Sequence, residues 1–216
     1  MTIINKFIDL HFIKFPILLP IIFVFFLYTF PSYENILIFL TLLFLAEPHF
    51  GATIPFFLDG VNRTKIFEEK IKFILVPIMI VIYSIVGFFY FYNFFLLSFL
   101  AANFYHVTRQ SYGICKLYNK DKIELNVQEF FIYLFNIIFF IIALNRFSFD
   151  FFSEYNLEMN CIIVILLLLT SLLYIKKFKF TENYLSMMTG IVIFLPVCFV
   201  TKPIHAIVMG VTMHYH

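Results

Sequence analysis

Tryptophan is absent from the 216 residues, and only 13% of them are charged. A soluble domain carries about 25% charged residues, so this chain is not one that water surrounds on every side. The formal net charge is +2, too little basic excess to suggest nucleic acid as a partner. Cys115, Cys161 and Cys198 show no CxxC or other ligand spacing, which leaves them as small buried apolar residues. No GxSxG, no glycine-rich phosphate loop and no HxxxH/HxxHH array is found. Serine hydrolysis, phosphate-loop chemistry and the membrane-desaturase pattern are set aside on that ground. No small-residue cleavage site follows the first apolar run, so that run reads as a retained helix and not a leader.

What is present is apolar. Hydrophobic residues make up 62% of the chain, with 34 Phe. Phe, Ile, Asn and Lys are all abundant, a mutational bias that suits an AT-rich genome. Long apolar runs recur from end to end, without soluble domains, linkers, heptads or repeats. The expectation is an all-α, polytopic transmembrane helical bundle forming one integral-membrane domain over residues 1–216. The runs fall at about 15–31, 34–58, 72–92, 93–115, 128–145, 161–175 and 184–201, which gives about seven full spans. An eighth starts near Ile204 and stops at His216. Its thirteen residues reach only about 20 Å as a helix, against a hydrocarbon core of roughly 30 Å. The eighth span is therefore expected to be truncated and the C-terminus incomplete.

Charge follows the same alternation. Lys6, Lys14, Arg63, Lys65, Lys70, Lys72, Lys116, Lys120, Lys122, Lys176, Lys177 and Lys179 fall on one side, and only Arg146 and Lys202 on the other. Twelve against two predicts a cytoplasmic N-terminus and a multi-pass protein of a bacterial inner membrane. It also requires a tight reversal near residues 92–93.

Polar residues interrupt this pattern at matching depth. The stretch LLFLAEPHFGATIPFFLDG, 42–60, sets Glu47, Pro48 and His49 inside an apolar run, where a charge costs roughly 2.5–3.5 kcal/mol on insertion scales. His49 lies 15 residues after Glu34, His106 lies 13 after Asn93, and His214 lies 12 after Lys202. At about 1.5 Å per residue these depths agree to within roughly 5 Å. In HVTRQSYG, His106, Arg109, Gln110 and Gly113 share one helix face. A membrane Arg is expected to face the bundle interior and find an acid, with Glu47 as first candidate and Asp59, nearer the surface, as second. Pro48 and Pro55 free backbone carbonyls, as in a bent helix lining a cavity. His216 lies two residues past His214, about 200° round a helix. It is open between a ligand of a second metal and a plain chain end. His11 and His205 read as bland.

Histidines with a carboxylate and open positions suit non-haem Fe(II) and oxygen chemistry, and zinc could use similar ligands. Three patches point to one family. EPHFGATIPFFLD resembles the Pro-His-Gly…Asp signature of the Brp/Blh-type bacterial carotenoid cleavage enzymes, and FYHVTRQSYG is similar to their later His-x-x-Arg segment. GVTMHYH stands where their last helix carries a Pro-His pair. A Phe separates His49 from Gly51 here, and no Pro precedes His214. The resemblance implies a polytopic enzyme that holds iron through membrane histidines and splits a carotenoid with O2. Pro48-His49, Asp59, His106 with Arg109, and His214 would correspond to the site.

The expected function is thus a membrane metalloenzyme, an iron-dependent oxygenase or oxidase of an apolar substrate entering from the lipid bilayer. His49, His106, His214 and His216 are the candidate metal ligands. Glu47 is a ligand or proton carrier, Arg109 and Gln110 orient the carboxylate, and Asp59 completes the polar set. Two other classes stay open. One is a transporter or proton-coupled binding subunit using Glu47, His106 and Arg109. The other is an assembly protein whose polar residues only hold helices together.

Overall fold

The computed structural model describes residues 5–16, 18–46, 59–149, 156–200 and 202–213. Helix is the only regular element among the described residues. In chain order these are α1 (Lys6–Lys14), α2 (Leu18–Thr29), α3 (Pro31–Leu45), α4 (Gly60–Glu68) and α5 (Ile71–Tyr90). There follow α6 (Tyr92–Tyr118), α7 (Lys122–Leu144), α8 (Asn156–Phe178), α9 (Glu182–Val192) and α10 (Pro203–Met213). The chain divides into two compact units, residues 1–42 with 104–216, and residues 43–103.

In the larger unit α9 packs against α7 and α1. Small and polar residues decide where the helices meet. The Asn136 amide on α7 donates to Thr108 Oγ1 on α6 at 3.0 Å and to the Gly190 carbonyl on α9 at 3.2 Å. Gly190 permits that approach, because a Cβ there would stand 2.8 Å from the Ser111 Cβ. Around this junction Ile132, Phe135, Phe139, Met187 and Ile191 are buried. Phe104 stacks on Phe194 with ring centroids 3.8 Å apart. A second cluster, Phe23, Leu27 and Val208 with Leu37, Ile38, Leu42 and Met209, joins α2, α3 and α10. Glu34 ties that cluster at one end, accepting from Lys202 at 2.7 Å and meeting His205 Nε2 at 3.0 Å.

The first helix explains two buried charges that the sequence conceals. Asp9 and Lys14 are five residues apart, about 140° round an ordinary α-helix. Over Asp9–Lys14 the backbone instead winds as a π-helix, whose i→i+5 bonding sets such residues one above the other. Both side chains are buried. The Lys14 ammonium pairs with Glu182 on α9 and lies 4.2 Å from the centre of the Tyr118 ring, while Thr189 Oγ1 donates to the Lys14 carbonyl at 2.7 Å. Phe15, at φ −148° and ψ 67° outside the helical region and ahead of Pro16, ends the helix, and α1 meets α2 at a 52° bend.

In the smaller unit α5 and the first part of α6 form a helical hairpin. The reversal falls at Phe91, beside the position expected from charge. Gly87 lies against Phe95, and Tyr83 bonds Ser98. Ile78, Met79, Ile80, Val81 and Ile82 on α5 are all exposed, so this helix is apolar on every face, as lipid contact requires.

Three helices among the described residues are long and apolar enough to cross a membrane: Ile71–Tyr90, Lys122–Phe147 and Leu157–Phe178. Counting α1 with α2 as one broken span makes four. The chain is a helical membrane protein, but the expectation of seven full spans and an eighth is not met. The 93–115 run is a helix of 27 residues, long enough yet too polar, since it carries Asn103, His106, Arg109 and Gln110. The 184–201 run breaks after α9 into a short 3₁₀ turn at Pro196. The described part of the 34–58 run and the run after Ile204 are shorter apolar helices. Cys115 and Cys198 are buried as expected, whereas Cys161 is exposed.

Two outcomes follow from this packing. Gly190→Ala should lower stability by about 1–3 kcal/mol through overpacking. Gly113→Ala, which meets nothing within 4 Å, should be neutral or raise stability by up to about 1 kcal/mol; unfolding of both variants in one detergent checks the contrast. The hydrogen bond from Lys14 holds the Glu182 carboxyl below its ordinary value. Its stabilisation is present above the usual carboxylate range, about 4, and is lost as pH falls through the lowered value. Thermal unfolding should show Glu182→Gln less stable than the parent at pH 7, with the gap closing on acidification.

Candidate functional site

Helix α6 places the central part of the sequence-expected site. His106, Arg109 and Gly113 follow one another at i, i+3 and i+7 along one side of it. That side is open: His106 and Arg109 are exposed, and a Cβ on Gly113 would meet nothing within 4 Å. Gln110, at the edge of the stripe, is half-buried. The Arg109 guanidinium donates to the Tyr105 hydroxyl at 3.3 Å and lies 5.9 Å from the ring centre. Among the described residues the His106 imidazole has no hydrogen-bond partner, so its ring nitrogens are free to take a ligand. Asp59 is exposed at the N-cap of α4, and its side chain makes no capping hydrogen bond.

Glu47, Pro48, His49, Pro55, His214 and His216 lie outside the described residues. The expected Glu47–Arg109 pair and the three-histidine level therefore rest on residues of which only His106 and Arg109 are described. Among the described residues no three His, Cys, Asp or Glu side chains gather as a metal group. His106 fits as a single ligand. Helix reaches Ala46, as a π-helical turn, before the first expected group, and Met213, as α-helix, before His214.

The other two histidines are engaged. His11 Nδ1 contacts the Phe7 carbonyl at 2.9 Å one turn back, and His205 joins the Glu34–Lys202 pair. Arg146 and Lys202, the two cations on the minority side of the charge count, are likewise tied. Arg146 donates to the carbonyl of Cys198, which also accepts from Asn160 at 2.9 Å.

A second polar group was missed in the sequence. Glu124, in the first turn of α7, is buried. Its two carboxylate oxygens accept from the Tyr174 hydroxyl at 2.5 Å and from the Asn183 amide at 3.1 Å. Gln128, one turn on and fully buried, donates to Tyr174 Oη at 2.9 Å and to the Asn183 carbonyl at 3.0 Å. Asn119 donates back to Gln128 Oε1 at 3.4 Å. The apolar run that the sequence shows, 128–145, begins after Glu124. The available signal was its i, i+4 spacing to Gln128. Chemically, the group holds a carboxylate and a phenol in a chain of hydrogen bonds shielded from water.

No family model, curated protein or solved structure matches this chain.

Tyr174→Phe removes the donor to Glu124 and the acceptor for Gln128 while keeping the ring. Leaving buried polar groups unpaired costs about 1–3 kcal/mol. Denaturation in detergent should show a loss of that size, larger than the loss for Tyr105→Phe on the exposed side of α6.

Proposed function

We propose that the chain is a multi-pass membrane metalloprotein that works through the open face of α6, with His106 as a metal ligand. The observation that carries this reading is the unpartnered His106 imidazole beside Arg109 on an uncovered stripe of a long helix. His49 and His214 would supply further ligands, on the depth match read from the sequence. Glu47 would serve as ligand or proton carrier, with Arg109 and Gln110 orienting it; His216 and Asp59 stand next in line. Imidazole ligands with open positions suit iron, and iron would supply oxygen activation toward an apolar substrate, a carotenoid or another lipid. The similarity of FYHVTRQSYG to the carotenoid-cleavage segment supports the same direction. The lysine-rich side would face the cytoplasm of a bacterial inner membrane.

Proton-coupled transport is the second reading. The buried Glu124–Tyr174 hydrogen bond favours it, because a carboxylate and a phenol shielded from water can carry a proton.

Elemental analysis of the purified full chain separates the two. Iron near one per chain, lost in His49→Ala/His106→Ala and kept in His11→Ala, is the expected result. Unchanged metal in the double variant overturns the α6 site. Proton-coupled flux in vesicles that Glu124→Gln abolishes, without bound metal, would favour the second reading.

A further inference from the structure

A cleft of about 470 Å³ opens between α7 and α8. Its walls are Val127 and Phe131 from α7 with Leu173, Tyr174 and Phe178 from α8, and its rim carries Lys176 and Lys177. Both helices are among those able to cross a membrane, and the cleft lies toward the first residues of one and the last of the other. It is therefore a site at a membrane edge, apolar on one side and cationic on the other. Neither lysine joins an ion pair among the described residues. Lys177 rests 5.1 Å from the Phe178 ring centre, and Lys176 is exposed.

The Tyr174 hydroxyl is held by Glu124 and Gln128, so its ring is fixed as a wall and its oxygen is not offered to a ligand. Among the described residues that line the cleft, positive charge comes from Lys176 and Lys177. From Lys177 to Leu173 is one turn, about 6 Å along the helix, roughly the step from a headgroup phosphate to the top of its acyl chains.

We propose that this cleft binds an anionic phospholipid, its phosphate against Lys176 and Lys177 and an acyl chain along Phe131 and Leu173. A free phosphate would leave the aromatic walls uncovered, and a zwitterionic lipid would bring a cation of its own beside the two ammonium groups. Basic pockets between transmembrane helices select anionic headgroups in this way. The proposal is independent of the metal site.

Native mass spectrometry of the full chain in detergent, with phosphatidylglycerol or phosphatidylcholine added, tests it. The expected result is retention of phosphatidylglycerol over phosphatidylcholine by roughly thirtyfold, as two surface lysines would give. Lys176→Gln/Lys177→Gln should abolish the preference, whereas Lys65→Gln/Lys70→Gln, an equal loss of charge in the other unit, should keep it. Glycerol phosphate should not displace the lipid. Equal retention of the two lipids, equal loss in both double variants, or displacement by glycerol phosphate would each overturn the proposal.

Discussion

Polar groups in an apolar bundle must find their partners within the protein, and this constraint orders the larger unit. Around Glu124 the Tyr174 hydroxyl and the Asn183 amide take the place that water would fill. These groups come from α7, α8 and the start of α9, so one carboxylate fixes the mutual register of three helices. Burial of Leu, Ile and Phe cannot make that choice, because hydrocarbon is as apolar as the neighbouring helix. Gly190 and Asn136 do the same work at the meeting of α6, α7 and α9, through close approach and one amide.

The irregular backbone serves the same constraint. A π-helical α1 turns Asp9 and Lys14 inward together, and Lys14 then reaches Glu182, Tyr118 and α9. The 3₁₀ turn after α9 presents the Cys198 carbonyl, on which Arg146 and Asn160 converge. At these two places the departure from α geometry stands where a charge meets its partner. This pattern is the reverse of strain at random, and it accounts for the burial of charged residues in a chain that has few.

Helical class and membrane residence were legible in the sequence, because both rest on long apolar runs. The reversal at Phe91 was legible from charge alternation. The number of spans was not, because a hydropathy run does not show where a helix breaks: Pro196 divides one run, and the polar side of α6 disqualifies another. Glu124 was invisible for a related reason. It lies outside the apolar run, and only the return of α8 and α9 buries it. His106 and Arg109 were found because they share a helix face, a local property that a single sequence records faithfully. The exposure of that face is a tertiary property, which a local spacing does not record.

That exposure separates the two polar sites. The Glu124 group is saturated: both carboxylate oxygens and both ends of the Gln128 amide are engaged, so it stabilises as it stands. The α6 face is not. Arg109 has the Tyr105 hydroxyl as its hydrogen-bond acceptor among the described residues, at 3.3 Å, with Tyr133 and Glu129 on α7 also acting on its charge. A long helix that keeps a cation and, among the described residues, an unpartnered imidazole on an open side differs in this from the closed group around Glu124.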